Sequence, residues 1–396
     1  MICRKPRLQV QTSKAGDTNM QYDKLYNHPV YKKAGKIIFF GNQASYDHQE
    51  KKYLFDKIIE QKKLLRILQP EHGLFSNAQD QDIVEDLLYK NIPCISLYNK
   101  ITDITGPQKH MFSDADTLLI DIQDAGVRYF TYTTHLFNLL EFAARYLQQI
   151  SVIVTDRTNP AGKKAEGTLL PEKYQSFLGY AGMIHRHGLS TGELCKWFVQ
   201  SRNLKLNLHI VQIPGSFSNK NYIAPSPNLP TIESLWVYPG QCFWEATSFS
   251  EGRGTTRPFV LFGHPDIPSI VSEQIAMAFN KKFEGMAYLR STKFEPVFHK
   301  HKSKLCTGWQ IHLQNHQKYP DIFGSLWLMR EVKNVVNFNF WREGPYEFDS
   351  DFNAAQILIG DDDLIEFVEG HIPEKIITDK LKFHASQWKK EIQNLE

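Results

Sequence analysis

Short signature motifs for cofactors and activated nucleophiles are missing from this sequence. No G-x-G-x-x-G follows the first apolar run, and no G-x-x-x-x-G-K-[ST] occurs, which argues against dinucleotide and P-loop phosphate sites. The G-x-S-x-G pattern is absent as well, so a serine esterase would have no nucleophile elbow. We therefore expect no cofactor and no serine nucleophile.

Cysteine is scarce and irregularly spaced. The five cysteines form no C-x-x-C pair, so the sequence predicts neither a disulfide framework nor a thiolate zinc site. Histidines are paired at His185 and His187, and again at His299 and His301, but no carboxylate or thiolate with ligand-like spacing accompanies either pair. We therefore expect no metal site.

Neither an excess of one charge nor a long apolar run is present. Lys+Arg 46 against Asp+Glu 43 gives a formal net charge of +3, which is too small to indicate a nucleic-acid partner. No segment approaches the roughly 18 apolar residues of a membrane-spanning helix. Hydrophobic residues at 42% and charged residues at 22% are typical of a globular chain with a buried core.

The N-terminal segment carries charge but has no apolar region of the kind found in signal peptides. This pattern predicts a cytoplasmic location. A periplasmic or secreted location is the alternative if the N-terminus is incomplete. The sequence leaves the oligomeric state open.

After Gly35 the sequence alternates between apolar runs and amphipathic segments. Continuous apolar strands separated by helices are typical of a parallel sheet that is covered on both faces. Strands are predicted at residues 36–41, 64–68, 92–98, 117–122, 151–155 and 206–213. Helices are predicted at residues 48–62 and 134–147, and after a cap at Ser190 or Thr191.

The pattern changes beyond about residue 268. Helices at 273–283, 323–336, 353–359 and 374–393, with a strand at 308–313, indicate a second unit of mixed type. We interpret the chain as an α/β protein, since 396 residues suffice for two domains. A Rossmann-like parallel-sheet domain over residues 1–225 is joined to a smaller α+β domain over residues 226–396. We expect the active-site cleft between them.

Charged side chains follow successive predicted strands at the point where each strand ends. Glu71 follows the second strand, Asp121 and Asp124 follow the fourth, and Asp156 and Arg157 follow the fifth. In open α/β sheets the ligand crevice lies outside the carboxyl ends of the strands. We therefore expect these side chains to converge on one site.

Residues 222–265 show neither helical nor strand periodicity, and we predict that this stretch is mostly loop. Its prolines restrict the backbone, and its aromatic residues require burial, which argues against disorder. A long ordered loop within a globular chain is usually functional. Its polar side chains include Asn228, Glu245, Thr247, Ser250, Glu251, Arg253, Thr255 and Arg257.

Several segments together resemble the exo-β-N-acetylmuramidases of bacterial peptidoglycan recycling. The resemblance covers most of the chain from about residue 36. It implies a Rossmann-like domain, a smaller C-terminal domain, and removal of N-acetylmuramic acid from the non-reducing end of peptidoglycan-derived saccharides. The segments are PEHG (70–73), DIQDAGVRYFTY (121–132), DRTNPAG (156–162), RHGLSTGEL (186–194), PSPNLPT (225–231), YPGQC (238–242) and SEGRGTTRPF (250–259).

Two short segments depart from the family's pattern. Residues 245–248 read EATS where the family tends to have EGTN, and residues 74–76 read LFS where the family has an aromatic residue followed by Arg-Gly. The C-terminal tail also lacks the family's Tyr-rich ending. These departures bear on substrate preference more than on the class of reaction.

Glycosidase chemistry needs an acid that protonates the leaving oxygen and a second group on the other side of the bond. We assign the acid to Glu71, because burial beside an apolar strand favours a protonated carboxyl group. Asp124 and Glu251 are both candidates for the second carboxylate. Attack by the 2-acetamido oxygen of the substrate is a third possibility, so retention or inversion is undetermined.

The lactyl carboxylate of N-acetylmuramic acid suits a planar guanidinium, since bidentate arginine–carboxylate pairs are strong and selective. Arg253, between two glycines, is the first choice, and Arg128 and Arg157 are alternatives that could instead form internal ion pairs. We also predict saccharide contacts from His72, Gln123, Tyr132, Asp156, Asn159, Asn228 and Glu245.

A different class of function fits the same scaffold. A non-catalytic protein that binds carbohydrate or muropeptide needs aromatic rings and hydrogen-bonding groups but no poised carboxylic acid. Turnover of a chromogenic muramic-acid glycoside separates this alternative from the enzyme.

Overall fold

The computed structural model describes residues 21–79, 82–98, 106–213, 220–347 and 351–395. The strands are β1 (Ile37–Gly41), β2 (Tyr46–Asp47), β3 (Lys52–Tyr53), β4 (Leu64–Gln69), β5 (Leu87–Tyr89), β6 (Ile92–Ser96), β7 (Thr117–Asp121), β8 (Ser151–Asp156), β9 (Glu166–Leu169), β10 (Ile184–Arg186), β11 (Asn207–Gln212), β12 (Leu261–His264), β13 (Ala287–Phe294) and β14 (Cys306–Leu313). The helices are α1 (Asp23–Asn27), α2 (Pro29–Lys33), α3 (Leu54–Glu60), α4 (Thr131–Tyr146), α5 (Thr191–Ser201), α6 (Ile232–Gln241), α7 (Ser269–Lys282), α8 (Asp321–Lys333), α9 (Ala354–Leu358), α10 (Asp362–Val368) and α11 (Glu374–Ile392). Short 3₁₀ turns lie at Lys109–Phe112, Glu172–Tyr174 and Cys242–Ala246.

A seven-stranded sheet in the order β11-β8-β7-β1-β4-β6-β5 forms the first half of the chain. Its strands pair in parallel except β5, which runs antiparallel to β6 at the edge. The six parallel strands therefore follow the Rossmann order, with β1 central and the direction of winding reversing between β1 and β7. This confirms the predicted α/β fold.

The predicted strands of this sheet are all present, and the central ones are apolar on both faces. The residues of β1 and β7 are buried throughout, as expected for a sheet with helices on each side. Helix α5 begins where predicted: the Ser190 hydroxyl accepts a hydrogen bond from the Glu193 amide, and the Glu193 carboxylate accepts one from the Ser190 amide. Such a capping box stabilises a helix start by about 1 kcal/mol.

The second half contains a three-stranded antiparallel sheet in the order β12-β14-β13. Strand β14 matches the predicted strand at 308–313, whereas β13 was not predicted. Its half-buried side chains alternate only at its start, so the period of two is weak. Helix α7 packs on this sheet, and α6 packs on α8.

The prediction that residues 222–265 are mostly loop was wrong in its centre. Thr231 accepts a hydrogen bond from the Ser234 amide and so caps α6, which continues through Pro239 and is followed by the 3₁₀ turn at Cys242–Ala246. The helix ends soon after Pro239, which cannot donate to the preceding turn. Leu235, Val237 and Tyr238 are buried, so tertiary packing outweighs the weak local signal.

The two halves are tied together by buried polar contacts. Arg186 of β10 pairs with Asp321 at the start of α8, and Glu166 Oε1 accepts the amide of Ile322 at 3.0 Å. Helix α11 also packs on β9, and the Trp388 indole donates to the carbonyl of His187 at 2.8 Å. The predicted division at residue 225/226 stays a prediction. Within the described ranges, no helix has the length and apolar character to cross a bilayer.

Candidate active site

Glu71 lies just beyond β4, at the carboxyl edge of the sheet, and its side chain is only 3% exposed. Thr131, the first residue of α4, donates its hydroxyl to Glu71 Oε2 at 2.5 Å. The Glu71 amide faces His135 Nε2 at 3.4 Å. Burial favours the neutral carboxyl group, whereas the hydroxyl donor and the positive end of α4 favour the carboxylate. The hydroxyl of Thr131 therefore fixes the position of Oε2, while burial and the nearby donors favour opposite protonation states of Glu71.

His72 connects this loop to the segment after residue 222. Its backbone adopts a positive φ of 68°, a conformation that few residues other than glycine take. Because a carbonyl can only accept, the ring Nδ1–H donates to the oxygen of Ala78 at 2.9 Å. In the neutral ring Nε2 then accepts from the Ser226 hydroxyl at 3.1 Å. His72 therefore positions the loop beside Glu71.

Asn42 lies at the end of β1, next to the point where the sheet reverses its winding. Its side-chain amide donates to the Pro225 carbonyl at 3.0 Å, and the Tyr132 hydroxyl donates to the same carbonyl at 2.5 Å. These contacts hold the 222–231 segment over the carboxyl edge of the sheet. The site therefore occupies the place that a doubly wound sheet offers to a ligand.

The resulting cleft is narrow, with a cavity volume of about 30 Å³, which leaves room for water molecules between its walls. It lies between the strand-end loops, the 3₁₀ turn after α6 and the segment after Trp341. The polar and aromatic side chains that line it include Glu71, His72, Tyr129, Phe130, Thr131, Ser226, Asn228, Tyr238, Glu245, Arg253, Phe259, Tyr346 and Glu347.

Asn228 is brought to the cleft as predicted. It is 5% exposed, and its amide nitrogen Nδ2 has no hydrogen-bond partner among the residues that the structure describes. A buried amide donor without a protein partner costs free energy unless a ligand or water satisfies it. Asn228 is therefore available to a polar substituent of a bound ligand.

Arg253 reaches the cleft but is held by two carboxylates. Its Nη2 donates to Glu245 Oε1 at 2.9 Å, and its Nη1 donates to Glu251 Oε1 at 3.1 Å. Glu245 also accepts from the Tyr346 hydroxyl at 2.7 Å. Arg253 thus joins three segments of the cleft wall, and its contact with a substrate carboxylate stays a prediction.

Glu251 is 1% exposed and is not among the residues that line the cleft. Burial alone would raise its pKa, but Lys300, His299 and Arg253 outweigh burial and hold the pKa of Glu251 well below its usual value. Lys300 Nζ contacts Glu251 Oε2 at 3.0 Å and also donates to four backbone carbonyls of residues 244–249. Glu251 is therefore ionised at neutral pH and, through Lys300, holds the turn at residues 244–249 in place.

Asp124 likewise forms its hydrogen bonds with other residues of the protein. Its Oδ2 accepts the Gly126 amide at 2.6 Å and faces His187 Nε2 at 2.9 Å, while its Oδ1 accepts the Thr133 hydroxyl at 3.1 Å. Asp124 does not line the cleft. The structure does not bring either predicted second carboxylate to the cleft surface.

Glu347 is the cleft carboxylate that the sequence analysis missed. It is 7% exposed, lines the same cleft as Glu71, and has a positive φ of 48°. Non-glycine residues in this conformation cost about 1–3 kcal/mol and are concentrated at functional sites. The neighbouring Tyr346 anchors the segment to Glu245. No local sequence motif identifies Glu347, because its place in the cleft depends on the path of the chain after Trp341.

Arg128 and Arg157 both bond within the protein, but among the described residues only Arg157 forms the internal ion pair that was considered for it. Arg128 is fully buried, and its Nη2 donates to the carbonyls of Leu358 and Ile359 at 3.1 and 2.9 Å. Arg157 pairs with Asp121 at 2.9 Å and lines a separate small pocket. Neither arginine lines the Glu71 cleft.

The remaining predicted contacts are also mainly structural. Gln123 accepts from Arg157 Nε at 3.2 Å and lines the same separate pocket. Asp156 Oδ1 accepts the Gly192 amide at 2.8 Å, and Asn159 Oδ1 accepts the Ala161 amide at 2.9 Å. Their roles as saccharide contacts stay predictions. In the described part of the chain, no group of three His, Cys, Asp or Glu side chains is arranged to hold a metal ion.

The fold and the cleft together define a two-domain α/β protein with three glutamates around one enclosed site, and glycoside hydrolases act through such carboxyl groups. The chain belongs to the exo-β-N-acetylmuramidase NamZ family. The model of the family's N-terminal domain matches residues 37–233, and the model of its C-terminal domain matches residues 236–395. This confirms the resemblance found in the sequence.

Individual relatives agree with this membership. The chain is 32% identical, over 297 residues, to the peptidoglycan β-N-acetylmuramidase NamZ of Bacillus subtilis strain 168, which covers 72% of this chain and 70% of that protein. Two DUF1343 family proteins of Bacteroides fragilis NCTC 9343 share the fold, with TM-scores of 0.78 and 0.70 at 22% and 24% identity. Each superposition covers 95% of this chain. The first covers 98% of the solved chain, and the second covers 97%.

Proposed function

We propose that this protein is an exo-acting β-N-acetylmuramidase, a glycoside hydrolase that releases N-acetylmuramic acid from the non-reducing end of peptidoglycan fragments. The observation that carries the proposal is the match of both family models over residues 37–395. The cleft supports it, because Glu71 lies at the carboxyl edge of the sheet, where doubly wound folds bind their ligands, and other polar side chains line the same cleft.

Glu71 and Glu347 are the pair that the geometry offers for the chemistry. The third cleft glutamate, Glu245, pairs with Arg253 and accepts from Tyr346, and we assign it to holding the cleft wall. One carboxyl group protonates the glycosidic oxygen, and the other acts as base, nucleophile or stabiliser of the positively charged transition state. Our first assignment gives the proton transfer to Glu71 and the second role to Glu347.

The environment of Glu71 also permits the reverse assignment. Burial favours its protonated form, whereas Thr131 and the start of α4 favour its anion. Activated leaving groups need no proton and therefore distinguish the two roles. An acid variant regains activity on such substrates, and a nucleophile variant does not.

The test compares the wild type with Glu71→Gln on a glycoside of N-acetylmuramic acid whose leaving group is a sugar, and on a chromogenic glycoside with an activated leaving group. We expect turnover of both by the wild type, and in the variant a loss of at least about 100-fold on the sugar glycoside, the low end for general acid–base catalysis, with a smaller loss on the chromogenic one if Glu71 is the acid. Circular dichroism must show that the variant is folded. A wild type that binds the sugar without releasing the chromophore would instead identify a non-catalytic binding protein, and a folded, fully active variant would remove Glu71 from the mechanism.

A further inference from the structure

A second cavity lies beside the cleft, within the second half of the chain. Its volume is about 200 Å³, and it is lined by α6, the segment that leads into β12, and strand β14. None of the residues predicted to contact the saccharide lines it. Its polar and aromatic lining residues are Glu233, Trp236, Arg257, Gln310 and His312.

The cavity and the cleft share two walls. Helix α6 places Trp236 in the cavity and Tyr238 in the cleft, and the segment before β12 places Arg257 in the cavity and Phe259 in the cleft. The rings of Tyr238 and Phe259 pack at 4.8 Å between their centroids. One helix and one short segment therefore separate the two spaces.

The cavity lining contains one carboxylate, Glu233, and one guanidinium, Arg257, and the two form no ion pair with each other among the described residues. Arg257 is exposed and forms no ion pair with any described carboxylate. Arg290 lies beside the cavity, where its Nη2 donates to Gln310 Oε1 at 2.6 Å, and it too has no ion pair within the described chain. Arg253 and Arg157, by contrast, are each paired with carboxylates. An arginine without an ion-pair partner at a concave surface, such as Arg257, suits a planar anion.

His312 adds a neutral hydrogen-bonding group to this cavity. Burial, with the charges of Arg290 and Arg257, lowers the pKa of His312, so the ring is uncharged at neutral pH. Its Nε2 is buried without a hydrogen-bond partner among the described residues. The ring stacks on Tyr288 at 4.6 Å, which fixes its plane.

Trp236 supplies an apolar surface next to these polar groups. The indole is partly exposed and stacks on the His316 ring at 4.4 Å, nearly parallel at 4°. An aromatic side chain beside a few directed polar groups is the usual composition of a small-molecule site. The combination fits a carboxylate that is attached to a sugar or to another group with an apolar face.

We propose that this cavity binds a carboxylate of the peptidoglycan fragment other than that of the sugar being released, with Arg257 as its main ligand. The proposal rests on the proposed function, because it takes its ligand from the same substrate. Two parts of a fragment carry this chemistry: the lactyl group of a further muramic acid residue, and the side chain or terminus of an attached peptide.

The test measures binding by calorimetry to Glu71→Gln, which removes turnover, with and without Arg257→Ala. The probes are N-acetylmuramic acid, the dipeptide alanyl-glutamate and N-acetylglucosamine. We expect Arg257→Ala to weaken the cavity's binding of one acidic probe about 10- to 100-fold, the loss of one charge-assisted hydrogen bond. The affected probe identifies the source of the carboxylate, and N-acetylglucosamine binding stays unchanged.

Arg145→Ala is the matched control, since it removes an exposed arginine of α4 that is remote in sequence and does not line either space. Equal binding of all probes with and without Arg257 would overturn the proposal. The chromogenic single-sugar glycoside reports only on the cleft, so its turnover should not depend on Arg257. If the wild type does not turn over the chromogenic glycoside but acidic probes still bind in an Arg257-dependent way, the proposed function is rejected and the anion site is retained.

Discussion

The Thr131 hydroxyl donates to Glu71 Oε2 at 2.5 Å, at the first residue of α4. This contact joins the end of β4 to the start of the helix that follows β7, on the other side of β1 in the sheet. It fixes the orientation of the carboxyl group and places it at the positive end of a helix dipole. Thr131 is therefore a positioning residue for the proposed reaction.

Thr131→Val should lower kcat/KM about tenfold, because it removes a hydrogen bond to an ionisable group while keeping the side-chain shape. The donor favours the ionised carboxyl group, so its loss should move the pH profile of Glu71 to higher pH. The measurement is the pH dependence of kcat/KM for the chromogenic glycoside. Thr131→Ser should restore both the rate and the profile, and an unshifted profile in Thr131→Val would assign Thr131 to packing alone.

Glu347→Gln should reduce kcat at least about 100-fold in a folded protein, because it removes one of the two carboxyl groups assigned to the chemistry. Glu273→Gln, at an exposed position of α7, is the charge-matched control and should keep full activity. Turnover of Glu347→Gln close to that of the control would return the second role to Asp124, to Glu251 or to the substrate's acetamido group.

Arg253→Lys should lower kcat/KM about 10- to 100-fold, because a lysine cannot reproduce the two directed bonds to Glu245 and Glu251. Since these bonds hold the cleft wall, we expect equal losses on the N-acetylmuramic acid substrate and on any slow hydrolysis of its N-acetylglucosamine analogue. A loss confined to the muramic acid substrate would show that Arg253 reads the lactyl carboxylate.

The folded protein should lose stability as the pH falls below about 6.5. Burial, with a smaller effect of His72, lowers the pKa of His135 to about 3, whereas the unfolded chain takes up this proton near 6.5. Between these values the unfolded state binds the additional proton, so each such histidine costs about 1.4 kcal/mol per pH unit. Denaturant titrations at several pH values measure the slope, and His135→Gln should reduce it. Identical slopes in both proteins would contradict this assignment.

The sequence by itself determined the parallel sheet and the place of its active edge. The strands β1, β4, β7 and β8 are continuous apolar runs, and the residues that follow them are polar, so local patterns are sufficient to identify them. Ser190 and Glu193 are likewise a local signal, because a capping box is complete within four residues. The family resemblance also depended only on the order of short segments.

Tertiary structure alone decided which carboxyl groups reach the cleft. Asp124, Glu251 and Glu71 look alike in sequence. In the structure, however, Asp124 contacts His187 and Glu251 pairs with Lys300, both of which are distant along the chain. Glu347 enters the cleft because the segment after α8 packs along residues 245–248, a long-range contact that no local pattern encodes. Helix α6 was missed for the same reason: burial of its apolar face, rather than helix propensity, stabilises it.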